Sequence, residues 1–250
     1  MSTKVAVIGA SGRLGRLICR LIDESDEFEV AVRLGSGSDL TEMAGADVAV
    51  DVTLPGASAA VVDSALAQGL NVVVGTSGWS ASRITSLESR LQQYPDRGVL
   101  IIPNFSLGSM LATRFATMAA RFFDSVEIVE AHHASKLDSP SGTAVRTAEL
   151  MQAARSDLGP VVSPHNDQRA RGQRVAGIPI HSLRLTGVSA RQDVVLAGEG
   201  ELLTISHETL SPSSYEAGIM IALRAARTAR GLTVGLDALV DLGVAVGPPR

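Results

Sequence analysis

The sequence predicts an α/β protein, a doubly wound parallel sheet joined to a second α+β domain with a mixed sheet. Three observations predict it. Across the first hundred residues, short continuous apolar runs alternate with segments whose apolar residues recur every three to four positions. A glycine-rich turn stands between the first such run and the first such helix. Beyond about residue 107 the order changes to helices followed by runs of strands, the pattern of an α+β domain.

Each element follows from its local pattern. Val5-Ala6-Val7-Ile8 is an apolar run without alternation, as in a strand covered on both faces. Leu14, Leu17, Ile18, Leu21 and Ile22 fall on one face of a helix. Strands are expected at Phe28–Leu34, Val48–Val52, Asn71–Val74 and Val99–Ile102. Between them lie a helix over about 57–68 and one marked by Ile84, Leu87 and Leu91. Strands that alternate with helices form parallel sheets through right-handed crossovers. A helix over about 107–122 then leads to a strand at Val126–Ala131, and Thr143–Arg155 forms the next helix. The polar stretch from Gly159 to Gly177, with Arg169, Arg171 and Arg174, reads as a mobile, solvated loop. Ile178–Leu185, Asp193–Ala197 and Glu201–His207 are strand-like, the last half exposed by its alternation. Tyr215–Arg227 is a helix expected to pack back on the first domain.

Composition narrows the function. Of the 250 residues 45% are hydrophobic, enough for a real core. A formal net charge of −4 gives no basic excess to hold a nucleic acid. The single cysteine, Cys19, excludes an intrachain disulfide and reads as helix packing rather than as a nucleophile. The first residues run straight into a strand without the layout of a signal peptide. No run approaches the ~20 apolar residues of a membrane span, so a cytoplasmic location is expected.

Gly9-Ala10-Ser11-Gly12-Arg13-Leu14-Gly15 follows the first strand and opens the first helix. Its G-x-x-G-x-x-G spacing is a variant of the dinucleotide fingerprint, in the strand–turn–helix context that fingerprint needs. Glycines let backbone approach a pyrophosphate, and the helix N-terminus supplies free N–H donors and a favourable dipole. The domain is therefore read as Rossmann-like and nicotinamide-binding. At the end of the second strand, Arg33-Leu34-Gly35-Ser36-Gly37-Ser38 carries no acid before Asp39. With an acid absent where ribose hydroxyls are usually held, Arg33, Ser36 and Ser38, helped by Arg13, could meet a 2′-phosphate. NADPH is expected to be accepted well alongside NADH; the alternative is a plain flexible turn. Gly75-Thr76-Ser77-Gly78 and Pro103-Asn104-Phe105-Ser106 lie after further strands, where open α/β sheets bind ligands.

The segment Glu130-Ala131-His132-His133-Ala134-Ser135-Lys136-Leu137-Asp138-Ser139-Pro140-Ser141-Gly142-Thr143-Ala144 carries the remaining chemistry. His132, His133 and Lys136 follow a strand directly and precede a helix start. Ser141, Gly142 and Thr143 can present backbone N–H groups there, a site for an anion such as a carboxylate. Lys136 adds a mobile full charge, and imidazoles titrate near neutral pH and so can move protons. Taken singly, each residue could be a polar strand edge or a helix cap. No metal is expected, because His-His-x-x-Lys lacks the Cys, Asp or Glu partners of usual sites.

That segment resembles the signature of the dihydrodipicolinate reductases, E-x-H-H-x-x-K-x-D-x-P-S-G-T-A. Gly9–Gly15, Asp51-Val52-Thr53, Gly75–Gly78 and Pro103–Phe105 stand in the same order as in that family. The resemblance runs from residue 4 to about 242, and Gly177–Ser182 and Glu199–His207 look most like actinobacterial members. It implies a dinucleotide-binding domain of 1–106 with 216–250, and a substrate-binding and tetramerisation domain of 107–215 in a homotetramer. It implies cofactor contacts from Gly9, Ala10, Ser11, Gly12, Arg13 and Leu14, from Gly75, Thr76 and Ser77, and from Ile102, Pro103, Asn104 and Phe105. It implies that His133, Lys136, Ser141, Gly142 and Thr143 hold substrate carboxylates, with His132 as acid–base residue and Lys136 as proton donor. Gly35 stands where the family commonly has an acid, which leaves the cofactor preference open, and Ser77 and Ser106 are mild departures.

The implied reaction is NAD(P)H-dependent reduction of a cyclic dicarboxylate, 4-hydroxy-tetrahydrodipicolinate, in lysine and diaminopimelate synthesis, with closure between the domains. Two alternatives stand beside it. One is a reductase of the same fold for another imine or oxo acid. The other is a non-catalytic NAD(P)-binding sensor, against which the intact cationic segment argues. A kinase site is excluded, since no Walker lysine is present.

Overall fold

The computed structural model describes residues 2–243. In chain order the regular elements are β1 (Thr3–Ile8), α1 (Arg13–Asp23), β2 (Phe28–Leu34), β3 (Val48–Asp51), α2 (Ser58–Ala67), β4 (Asn71–Val74), α3 (Ala81–Leu91) and β5 (Gly98–Ile101). There follow α4 (Leu107–Ala119), β6 (Ser125–His133), α5 (Gly142–Ala154), β7 (Gln173–Val175), β8 (Ile178–Leu185), β9 (Ala190–Gly198), β10 (Glu201–Thr209), α6 (Glu216–Ala226) and β11 (Gly231–Val234). The described residues up to Ser106 and those from Tyr215 onward form one compact unit, and Leu107–Ser214 forms another. Residues 1 and 244–250 of the segments expected for the first domain lie outside the described residues.

The first unit holds a six-stranded sheet in the order β11-β5-β4-β3-β1-β2, and every pairing is parallel. Val5–Ile8 and all of β3, β4 and β5 are buried, because helices cover both sheet faces. On one face Val61, Val62, Leu66, Leu87 and Leu91 of α2 and α3 pack on Ala6, Ile8, Ala49, Val72 and Val74. α6 packs on β4, β5 and α1. Each fully buried Val, Leu or Ile contributes roughly 1.5–3 kcal/mol, so this layered core dominates the stability of the unit. Asn71, itself buried, ties the layers: its amide donates to Ala226 O at 2.7 Å and accepts from Gly98 N at 2.9 Å. The fold class and the alternating elements are as the apolar pattern predicts.

The second unit holds a mixed five-stranded sheet, β10-β9-β6-β8-β7, in which only β6 and β8 run parallel. Ala116, Ala120, Ala144, Ala148 and Met151 of α4 and α5 cover one face and pack on Val126, Ile128, Ile178, Ile180, Val194 and Leu196. By strand alternation Glu127, His181, Leu183, Leu185 and Leu202 lie on the other face. There Leu183, Leu185 and Leu202 are exposed. No helix of the described residues is long and apolar enough to cross a membrane.

The structure corrects several expectations. His132 and His133 close β6 rather than follow it, because β8 and β9 extend the ladder to them. The stretch 159–177 is not all loop: Arg169–Arg171 forms a 3-10 turn and Gln173–Val175 forms the edge strand β7. Its arginines are not simply solvated. Arg171 pairs with Glu127, and the Arg174 guanidinium donates to Gly177 O at 2.8 Å. β11 and a 3-10 turn at Leu40–Met43 carry too few apolar residues to be read locally.

Candidate active site

The loops expected to meet a dinucleotide leave the carboxyl ends of β1, β4 and β5, all at one edge of the first unit's parallel sheet. Gly9 has φ +89°, and a Cβ there would stand 2.5 Å from Val52 O. A Cβ on Gly15 would stand 2.1 Å from Gly9 O, so α1 can seat this close only without a side chain. Gly12 is the N-cap of α1 and no side chain caps it. The first-turn N–H groups of Arg13, Leu14 and Gly15 have no intrahelical acceptor and open beside exposed Ser11 and Gly12. Ala10 is half-buried, and its N–H is spent on Leu34 O at 3.1 Å. This cradle fits a pyrophosphate.

Gly75 abuts Phe105: a Cβ would come 2.7 Å from the ring. The β4 and β5 loops thus form one wall, with Ser77 and Pro103 exposed, Asn104 half-buried, and Ile102 and Phe105 buried. Asn104 Oδ1 accepts from Ser106 N at 2.9 Å. Asp51, at the end of β3 and fully buried, organises the wall. Its carboxylate accepts from Thr53 N at 3.0 Å, from Thr53 Oγ1 at 2.6 Å and from Ser58 Oγ. Ser58 in turn accepts from Trp79 Nε1 at 3.0 Å, and Thr76 Oγ1 donates to Asp51 O at 3.3 Å. The sequence reading noted Asp51 only as a strand end.

At the end of β2, Arg33 is engaged: its guanidinium meets Asp23 at 2.7 Å. Ser38 Oγ accepts from Gly35 N at 3.0 Å, and Asp39 caps the Leu40–Met43 turn. The glycine–serine stretch is therefore an organised turn. Arg33 lines a surface hollow with Ala10, Arg16 and Cys19. Cys19 is buried, and desolvation pushes its thiol pKa up, as befits a packing residue.

In the second unit the cationic segment gathers around Glu130, a carboxylate with no exposed surface. Its Oε2 lies 2.6 Å from His132 Nδ1 and accepts from Arg184 Nη1 at 3.0 Å. Its Oε1 accepts from Arg184 Nη2 at 3.0 Å and from Ser141 N at 3.2 Å. Burial alone would push the Glu130 carboxyl up, but hydrogen bonds from Arg184, Ser182 and His132 more than offset it and hold it low. Burial depresses the His132 imidazole; Glu130 opposes this, while Lys136 and Arg184 add to it. Lys136 Nζ pairs with Asp138 at 2.7 Å, so Asp138 steadies the lysine. His133 falls on the other side of the β6 alternation, its Nδ1 2.8 Å from Ser135 Oγ. Ser141 caps α5, accepting from Ala144 N at 3.2 Å; Gly142 is exposed, with open space where a side chain would be, and Thr143 is half-buried. Among the described residues no group of three His, Cys, Asp or Glu side chains is placed to hold a metal ion.

Arg184 is the site residue that sequence reasoning missed. It lies 54 residues beyond Glu130 and arrives only because β8 pairs with β6 in the register His132↔Arg184.

Comparison with known proteins now decides the family. Residues 3–105 match the N-terminal domain of dihydrodipicolinate reductase, and residues 108–240 match its C-terminal domain. The chain belongs to the dihydrodipicolinate reductase family. It is 65% identical to a 4-hydroxy-tetrahydrodipicolinate reductase of Clavibacter sepedonicus, over 97% of this chain and 87% of the relative. It is 44% identical to that of Streptomyces griseus, over 96% of this chain and 98% of the relative. A dipicolinate-bound dihydrodipicolinate reductase from Paenisporosarcina sp. TG-14 superposes with a TM-score of 0.80 at 27% identity, covering 96% of this chain and all of that one. As a member of the dihydrodipicolinate reductase family, the chain is an oxidoreductase with a Rossmann-like, NAD(P)-binding N-terminal domain.

Proposed function

We propose that this chain reduces 4-hydroxy-tetrahydrodipicolinate to tetrahydrodipicolinate with NADPH or NADH, the ring hydroxyl leaving as water, as a cytoplasmic step of diaminopimelate and lysine synthesis. The observation that carries this is the second unit's cluster. His132 and Arg184 bond Glu130 beside the α5 N-terminus and the charge of Lys136 acts on His132, on a chain whose first unit carries the glycine cradle. Residues 1–106 with 216–250 serve as the dinucleotide-binding domain, and 107–215 as the substrate-binding and tetramerisation domain.

Gly9–Leu14, Gly75–Ser77 and Ile102–Phe105 would hold the nicotinamide dinucleotide. When bound, that cofactor supplies a hydride to the substrate ring. The amides of Gly142 and Thr143 at the α5 N-terminus, which Ser141 caps, grip the two carboxylates with Lys136 and His133. Lys136 delivers a proton to the electron-rich ring through Nζ, and His132 exchanges protons through its second ring nitrogen. A doubly negative ligand favours the protonated form of His132 and so counters the burial that depresses it. Leu183, Leu185 and Leu202, exposed on the open sheet face, are the surface through which copies join in a homotetramer.

The test follows loss of reduced cofactor absorbance with freshly made 4-hydroxy-tetrahydrodipicolinate. Turnover that dipicolinate inhibits competitively is expected. Cofactor binding without turnover, or turnover only of another imine, would overturn the reading.

A further inference from the structure

We propose that Glu130 is a positioning residue that sets the tautomer of His132, holding the ring proton on Nδ1 and leaving Nε2 as the nitrogen that works on the substrate. The role of Nε2 rests on the reduction proposed above; the tautomer does not. The argument starts from donor counting. An ionised carboxylate only accepts hydrogen bonds. Glu130 is held ionised by the Arg184 fork across both its oxygens, at 3.0 Å each. The short contact of 2.6 Å to His132 Nδ1 therefore has its proton on the imidazole side. A second ring proton is disfavoured in the free protein by burial and by the charges of Lys136 and Arg184. The imidazole is then neutral, with Nδ1–H bound to Glu130 and a bare lone pair on Nε2.

The same carboxylate fixes where that nitrogen sits. Oε1 accepts from the backbone N–H of Ser141, the residue that caps α5. One side chain thus ties the end of β6, the ring of His132 and the α5 N-terminus. All are in the second unit, so the relative placement of the proton-carrying ring and the carboxylate-binding amides is set within it. Arg184, the neighbour of His132 in the parallel register, has a further function here. Without it Glu130 could take up a proton, donate to Nδ1 and push the ring proton to Nε2.

Glu130→Gln tests this with nearly unchanged shape. Arg184 donates to both oxygens, but Oε1 also faces a fixed backbone donor while Oε2 faces a ring that can exchange donor for acceptor, so the amide oxygen belongs at Oε1 and the NH2 then faces His132. That orientation gives Nδ1 a donor and moves the ring proton to Nε2. Nitrogen NMR on histidine-labelled full-length protein reads the tautomer directly. Wild type is expected to show Nδ1–H with bare Nε2 near neutral pH, and the variant the reverse. kcat should fall by about 10²-fold or more while dipicolinate still binds, as when acid–base catalysis is lost with the binding groups kept. The His132 limb of the pH profile should move to lower pH, since the carboxylate's attraction is gone while Lys136 and Arg184 remain. Glu130→Asp, which keeps the carboxylate, should restore the wild-type tautomer and part of kcat. An Nε2–H tautomer in wild type overturns the proposal without any variant. So does Glu130→Gln with unchanged tautomer, whether kcat is normal or falls together with thermal stability. A wild type that shows Nδ1–H but no turnover of 4-hydroxy-tetrahydrodipicolinate upholds the dyad and overturns the reaction instead.

Discussion

Two helix N-termini in this molecule are proposed to receive the same kind of ligand, an anion, and they are built in opposite ways. At α1 the cap is Gly12, no side chain bonds the first turn, and the donors are left to a ligand. Space there is defended by glycines against backbone 2.1–2.5 Å away. At α5 the cap is Ser141, whose side chain and amide are both committed, and charge comes from side chains organised by a buried carboxylate. The first site is defined by atoms that must be missing, the second by charges that must be present. Adding one methyl should break the first, and deleting one charge should break the second.

The largest effect is expected from deleting charge. Lys136→Ala removes the proposed proton donor and frees Asp138 from a 2.7 Å ion pair. We expect kcat to fall by about 10²-fold or more, the usual scale of lost acid catalysis. Steady-state kinetics against substrate and cofactor will show whether the loss sits in kcat. An unchanged kcat with a raised substrate KM would leave Lys136 a carboxylate holder only.

Adding atoms should come next. A Cβ at Gly15 meets Gly9 O at 2.1 Å and Ala10 Cα at 2.7 Å, both backbone, so the turn must open. Overpacking of this kind costs about 3 kcal/mol, at the upper end of its usual range. We expect Gly15→Ala to lower thermal stability and to raise cofactor KM well above its effect on dipicolinate binding. Calorimetry with and without NADPH separates the two. Equal loss of both ligands would mean that the damage is not confined to the cradle.

These two sites also differ in how far the sequence discloses them. The cradle is local: glycine spacing, the apolar run before it and the helix after it all lie within Thr3–Asp23. Asn71–Val74 falls where its residues predict because burial on both faces leaves an apolar run, and Phe28–Leu34 because its apolar residues alternate with exposed ones. β11 and β7 escape because each is short and carries few apolar residues, Leu232 and Val234 in the one and Val175 in the other. The cationic segment is legible as residue types, but its wiring is not. Arg184 on Glu130 and His181 on Glu127 each bridge 54 residues, and only the parallel pairing of β6 with β8 brings them in. Tertiary register of this kind has no local signal.

The smallest effect concerns the choice between the two nicotinamide cofactors, where the cradle borrows the logic of the second site and uses a charge. Arg33 is about half exposed and bridges to Asp23, and it lines the same hollow as Ala10 of the glycine loop. Turning its guanidinium from Asp23 to a 2′-phosphate exchanges one solvated ion pair for another. Such pairs are worth about 1 kcal/mol or less, so the preference it can confer is about fivefold. Arg33→Ala should lower kcat/KM for NADPH by about that factor and leave NADH nearly unchanged. Asp23→Asn, which releases the guanidinium, should move the ratio in the opposite direction. The ratio of the two kcat/KM values is the readout because damage to the fold cancels in it. An equal fall for both cofactors would reduce Arg33 to a brace between α1 and β2, and discrimination would then have to come from Arg13, Ser36 or Ser38.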